Sequence, residues 1–223
     1  MRRRDRCGIV RLMDATADPR ADALRLWREG LAALTAADPD IAAAVVEAGE
    51  PVFELREPGF PTLLRAIVAQ QVSAASARAI WARVEAAVRP LTAEAFLALD
   101  EPGIRALGFS RPKIAYATGL AEAVVSGRCD LQALADLPDD AALAELVKLK
   151  GIGRWTAEVY LLFALGRPDV WPAQDLALAV AAQAIKRLPT RPSFAEMDRL
   201  AENWRPWRSV AALLLWHYYR KMP

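Results

Sequence analysis

The sequence predicts an all-α protein. Three observations carry that expectation. Apolar residues recur with a period near 3.6 through most of the 223 residues. Strand-like alternation is almost absent. Clusters of proline and glycine cut the chain into pieces of helix length, at Glu57–Pro61, Pro90, Glu101–Gly103, Leu137–Pro138, Arg167–Pro172 and Leu188–Pro192. About ten short helices are expected, with no internal repeat and no low-complexity tract.

The elements follow in order. Residues 1–18, rich in arginine, are expected to be a loosely ordered tail. The stretch DALRLWREGLAALTAADPDIAAAVVEAG reads as two helices. In PTLLRAIVAQQV, the residues Leu64, Ile67, Val68 and Val72 share one helical face. In SAASARAIWARVEAAV, Ala77, Ile80, Trp81, Val84 and Val88 do the same, and Ser73 is placed to cap that helix. In AALAELVKLK the stripe is Leu143, Leu146 and Val147.

Composition bounds the function. With 54% hydrophobic residues there is core material for one large domain or two small lobes. The 29 Lys+Arg nearly cancel the 27 Asp+Glu, a net charge of +2. A polybasic nucleic-acid coat is therefore excluded, and any such site must use local patches or backbone dipoles. Cys7 and Cys129 are the two cysteines and His217 the lone histidine. These cannot form a zinc site, and an iron–sulfur cluster would need about four cysteines. Both are expected to be free thiols. The start MRRRDRCGIV lacks an apolar signal core, and no run is long enough to span a bilayer. A cytoplasmic protein with no membrane association is expected.

The most informative stretch is LVKLKGIGRWTAEV. It reads as helix, tight hairpin, helix. Gly151 and Gly153 permit backbone conformations that a Cβ disfavours. They also clear side chains from the start of the next helix. Its N–H groups and positive dipole end then suit an anion such as a phosphate. An ordinary helical corner with a glycine cap explains the same residues. A dinucleotide or Walker loop does not fit, because no strand precedes the glycines and no Gly-Lys-Ser/Thr follows. Some twenty residues later Asp175 opens the apolar run DLALAV, where it can cap a helix. Capping and chemistry are compatible at that position.

LKGIGRWTA followed by WPAQDLAL resembles the helix-hairpin-helix DNA glycosylases that carry a Gly/Pro-rich loop and a catalytic aspartate. The pattern is nearest to the bacterial 3-methyladenine DNA glycosylase II group. LLRAIVAQQVSAASARAIWARV resembles that family's early helix pair with its Gln-x-Val-Ser turn. ALGFSRPKIAYATGLAEAV resembles the helix before the hairpin, and WRPWRSVAALLLW the last helix. The likeness runs from about Phe60 to Trp216.

This resemblance implies a two-lobed helical fold with the active site in the cleft between lobes. The middle lobe would span about 55–167, and the second lobe 19–54 together with 168–223. It implies a monofunctional glycosylase that removes 3-methyladenine and related alkylpurines from double-stranded DNA, working as a monomer. Asp175 takes the catalytic place. Trp155 and Trp216 take the base-pocket places. The family's pocket tyrosine is Val159 here, with Tyr160 beside it as the candidate substitute. Gly151, Gly153, Arg154 and Thr156 of the hairpin are the implied DNA contacts, together with Gln71, Ser73 and Arg208. Gln71 takes the place of the wedge that fills the gap left by a flipped base. No cofactor is implied beyond a structural monovalent cation on the backbone carbonyls of Val147, Leu149 and Ile152. Lys150 stands where proline is usual. In members that also cut the strand, the position of Trp155 is a lysine nucleophile. A strand-cutting enzyme and a non-catalytic DNA-binding module remain the alternatives. Trp155 speaks against the first, and Asp175 against the second.

Overall fold

The computed structural model describes residues 19–222, so the expected N-terminal tail lies outside the described residues. Twelve α-helices follow one another among them: α1 Pro19–Ala37, α2 Pro39–Ala48, α3 Phe60–Ala69, α4 Ala74–Ala87, α5 Ala93–Leu97, α6 Glu101–Ala106, α7 Arg111–Val125, α8 Asp139–Val147, α9 Arg154–Phe163, α10 Leu176–Ile185, α11 Phe194–Ala201 and α12 Arg208–Lys221. No strand occurs among the described residues, as the sequence predicts. No helix among them is long and apolar enough to cross a membrane.

Local chemistry sets the helix starts. Asp38, Ser73, Thr92, Asp100, Asp175 and Ser193 each accept backbone N–H bonds at the first turn of the helix they precede. Each removes donors that a bare helix end leaves unpaired. Ser193 and Glu196 form a reciprocal capping box. The helices α5 and α6 have 5 and 6 residues, too short for a periodic signal, which is why the count exceeds the expected ten.

Two apolar clusters hold the helices together. The first is built from α3 to α9, with Leu63, Ile67, Phe96, Leu120, Leu146 and Leu161 at its centre. The second gathers Trp27, Leu31 and Ile41 from α1 and α2 with Leu178, Trp204 and Leu214 from the C-terminal helices. The helix α9 serves both, since Leu161 belongs to the first cluster and Leu162 to the second.

An ion cluster ties α2 to α10. Lys186 Nζ lies 2.6 Å from both carboxylate oxygens of Asp38 and 3.0 Å from Asp40 Oδ2. Trp204 Nε1 donates to Asp38 Oδ2 at 3.1 Å. Burial alone would raise the Asp38 carboxyl, but bonds from Lys186 and Trp204 hold it below its ordinary value. A depressed carboxylate stabilises the fold above its unfolded pKa, and that contribution is lost as pH falls through the folded one. Asp38→Ala removes the helix cap and leaves the half-buried lysine under-paired. It is expected to cost about 2–3 kcal/mol at neutral pH. In urea melts the gap from wild type should shrink as the pH is taken well below 4, where the wild-type carboxylate is also protonated.

Candidate active site

The hairpin between α8 and α9 is built around one glycine. Ile152 N–H donates to Leu149 O at 3.0 Å and closes the turn. Ile152 is buried and anchors the tip in the first cluster. Gly151 has φ +90°, and a Cβ there would drive into the Tyr116 ring. Both facts require glycine. Gly153 differs. Its φ is −80°, and a Cβ would meet nothing within 4 Å. The folded chain alone gives no reason for glycine at 153. The residue caps α9 without a side-chain bond, so no capping side chain occupies the first N–H groups of α9. The same chemistry draws an anion.

The loop from α9 to α10 is held at several points. Arg167 Nη2 donates to the carbonyls of Leu134, Ala135 and Leu137 at 3.2, 2.7 and 2.8 Å. Ser209 Oγ accepts from Val170 N–H at 2.9 Å and donates to Val170 O at 3.0 Å. Trp171 packs edge-on against Trp204, with ring centroids 5.5 Å apart. A loop fixed this way delivers Asp175 to one place.

That place is beside Trp155. The indole Nε1 donates to Asp175 Oδ2 at 3.0 Å. The other carboxylate oxygen, Oδ1, accepts from Ala177 N–H at 2.8 Å and Leu178 N–H at 3.1 Å. Asp175 is thus both helix cap and accessible functional group. It is half-buried, and Trp155 is 40% exposed, so both can be reached from solvent. Among the described residues, Asp175 has no lysine as a hydrogen-bond partner. Lys148 pairs with Glu145 at 2.7 Å.

Trp216 stacks on Phe163, with centroids 5.7 Å apart and planes 23° from parallel. The Arg56 guanidinium also lies over the Phe163 ring, 4.7 Å from its centroid. Trp216 is half-buried and keeps part of its surface open. Phe163 was not legible as a neighbour of this tryptophan, nor Arg56 as a neighbour of Phe163, because distant segments bring them together.

Three expected site residues sit elsewhere. Tyr160 is 2% exposed, in the first cluster, and its hydroxyl accepts Gly59 N–H at 2.9 Å. It cannot line an open base pocket, and burial pushes its phenol up. The Thr156 side chain is buried at 5% exposure and offers no hydroxyl to a DNA surface, which leaves only its backbone N–H in the first turn of α9. Arg208 is held by Asp169, with Nε 2.9 Å from Oδ1 and Nη2 3.1 Å from Oδ2. It fixes the loop that leads to Asp175 rather than standing free for a phosphate. The remaining positions are at the surface. Gln71 is exposed, and Ser73 caps α4 by accepting Ser76 N–H at 3.1 Å. Arg154 is exposed but donates through Nε to Glu158 Oε1 at 2.8 Å. Burial pushes the Glu158 carboxyl up to about 7, against the pull of Arg154. Val147, Leu149 and Ile152 lie at the end of α8 and in the turn, and of their carbonyls that of Leu149 already accepts the Ile152 N–H that closes the hairpin.

The chain matches, over residues 64–206, a family model described as HhH-GPD superfamily base excision DNA repair protein. DNA-3-methyladenine glycosylase 1 of Schizosaccharomyces pombe is 35% identical over 167 residues, which are 73% of this chain and 73% of that protein. DNA-3-methyladenine glycosylase 2 of Escherichia coli is 32% identical over 179 residues, 73% of this chain and 60% of that protein. Among solved structures, the S. pombe 3-methyladenine DNA glycosylase in complex with abasic DNA superposes with a TM-score of 0.76 at 32% identity. It covers 84% of this chain and 95% of its own.

Proposed function

The chain belongs to the HhH-GPD superfamily of base excision DNA repair proteins, and from that premise we propose that it is a monofunctional DNA glycosylase that removes alkylated bases from duplex DNA. The substrates are 3-methyladenine and related alkylpurines, and the reaction is hydrolysis of the N-glycosidic bond. The observation that carries this reading is the Trp155–Asp175 pair. A carboxylate held on three N–H donors faces an open aromatic surface, and the hairpin position that a lyase would give to lysine is an indole.

The chemistry follows from charge. An N3- or N7-alkylated purine is cationic and leaves as a neutral base, so no strong acid is needed. As the bond to C1′ breaks, positive charge builds on the sugar. The Asp175 carboxylate stabilises that charge, a water adds at C1′ as the neutral base departs, and the proton the water loses passes to solvent. The indole N–H of Trp155 and the backbone of α10 fix the carboxylate so that it need not reorganise as charge develops. The exposed faces of Trp155 and Trp216 suit a flat cationic base, by stacking and by cation–π attraction of about 0.5–2 kcal/mol. The open start of α9 at Gly153 suits a backbone phosphate. Gln71 takes the wedge role when the base leaves the stack. The carbonyls of Val147, Leu149 and Ile152 are oxygen donors of a kind that suits a monovalent cation, and we include that ion in the proposal as a structural element only. We further propose that the enzyme acts as a monomer on cytoplasmic DNA.

A panel of duplexes, each carrying one lesion, tests the reading by chromatography of released base. Free 3-methyladenine is the expected product, and absence of release from every alkylated duplex would reject the proposal. The pocket has its own test. Trp216→Leu keeps an apolar residue against Phe163 but loses the indole. Its kcat/KM on a cationic alkylpurine should fall about 2- to 30-fold, the range set by one cation–π contact. Excision of neutral hypoxanthine should fall less.

A further inference from the structure

We infer that Gln70 is a positioning residue that locks the α3–α4 turn onto the glycine hairpin, so that Gln71 stands ready to enter the duplex before DNA arrives. The inference rests on the glycosylase reading and deepens it. Gln70 Nε2 donates to Gly151 O at 2.8 Å, a bond between residues 81 positions apart. The acceptor belongs to the residue that must be glycine, with φ +90° and its Cα against the Tyr116 ring. Nothing about that carbonyl is free to drift.

The turn is pinned on its other sides as well. Lys113 on α7 is buried, and its Nζ donates to Val68 O at 2.8 Å, at the end of α3. Ser73 caps α4. Between these anchors Gln71 has φ +53°, the left-handed region that non-glycine residues rarely adopt. Its side chain is exposed. A strained, outward-pointing residue between fixed ends marks a turn shaped for contact rather than for stability. Rigidity there means that the ordering cost is met on folding and not on binding. The bond from Gln70 therefore couples the phosphate grip to the wedge. A phosphate seated at the start of α9 fixes where Gln71 meets the base stack.

Gln70→Met keeps length and volume but removes the donor. The test is single-turnover excision of one alkylated base from two duplexes. In one the lesion is paired, and in the other it faces an abasic site and is already unpaired. The variant should lose about 10-fold or more on the paired substrate, because a misplaced wedge slows extrusion. On the unpaired substrate it should stay within about 2-fold of wild type, because little base pairing is left to break. Gln71→Gly relieves the positive φ and removes the side chain, and it should give the same split. Equal loss on both substrates would mean that Gln70 is merely structural, and unchanged rates on both would mean that it does nothing. Either result overturns the inference. If wild type releases base from neither duplex, the glycosylase reading fails, and the inference with it.

Discussion

Asp175→Asn is expected to lower base excision about 10²-fold or more while leaving duplex affinity and fold intact. The substitution removes the charge and the acceptor of the exposed Trp155 indole, and keeps the helix cap. Asparagine caps helices as well as aspartate does, so Ala177 and Leu178 N–H keep an oxygen to bond. With that oxygen on the cap, the amide NH2 takes the place of Oδ2 and cannot accept from the Trp155 indole. What disappears from the chemistry is the negative charge opposite the developing sugar cation. Single-turnover excision, a binding titration with undamaged duplex and a thermal melt separate the three quantities. Near-wild-type excision would remove Asp175 from the chemistry and leave it only its capping role.

The two hairpin glycines should fail in opposite ways. Gly151→Ala places a Cβ into the Tyr116 ring and forces a left-handed backbone on alanine. It is expected to cost about 2–4 kcal/mol of stability, from overpacking and backbone strain together. Gly153→Val meets open space at an ordinary φ. It should cost at most about 1 kcal/mol, as a poorer helix cap. Its effect belongs to DNA. A branched side chain over the first N–H groups of α9 blocks an approaching phosphate, and duplex affinity should fall about 10-fold or more, the worth of a charge-assisted hydrogen bond. Melting curves and binding isotherms on both variants check the split. Unchanged affinity in a folded Gly153→Val protein would argue against the hairpin as the phosphate grip.

The residues show why some of this was legible in the sequence and some was not. Helical period and side-chain caps are local, so the all-α fold could be read directly. The helix α11 has 8 residues, too few for a firm period, although its start at Ser193 is a plain local signal. Trp155 and Asp175 lie twenty residues apart, and their pairing was legible only through the family resemblance of LKGIGRWTA and WPAQDLAL. Tyr160 misled for a reason of phase. It belongs to the stripe Ala157, Tyr160, Leu161, Ala164, all buried, at the spacing of a helix face turned inward. A stricter count along α9 would have placed it in the core. Arg208 offered no such clue, because its partner Asp169 is 39 residues away. Adjacent glutamines are harder still. Which of Gln70 and Gln71 points inward depends on a carbonyl 81 positions along the chain. Glu158 is buried beneath the exposed Arg154, a contrast that spacing alone does not reveal.

Strand chemistry tests the central claim most directly. A lyase needs an amine near C1′ to form an imine, and the hairpin here presents the Trp155 indole to Asp175 instead. A duplex with one 3-methyladenine, incubated with enzyme in the presence of borohydride, separates the two mechanisms in one experiment. The account predicts free 3-methyladenine, an abasic strand that breaks only after alkali or heat, and no covalent enzyme–DNA adduct. Robust trapping of an adduct during turnover would contradict it and send the search for the nucleophile to Lys148, Lys150 or the N-terminal amine.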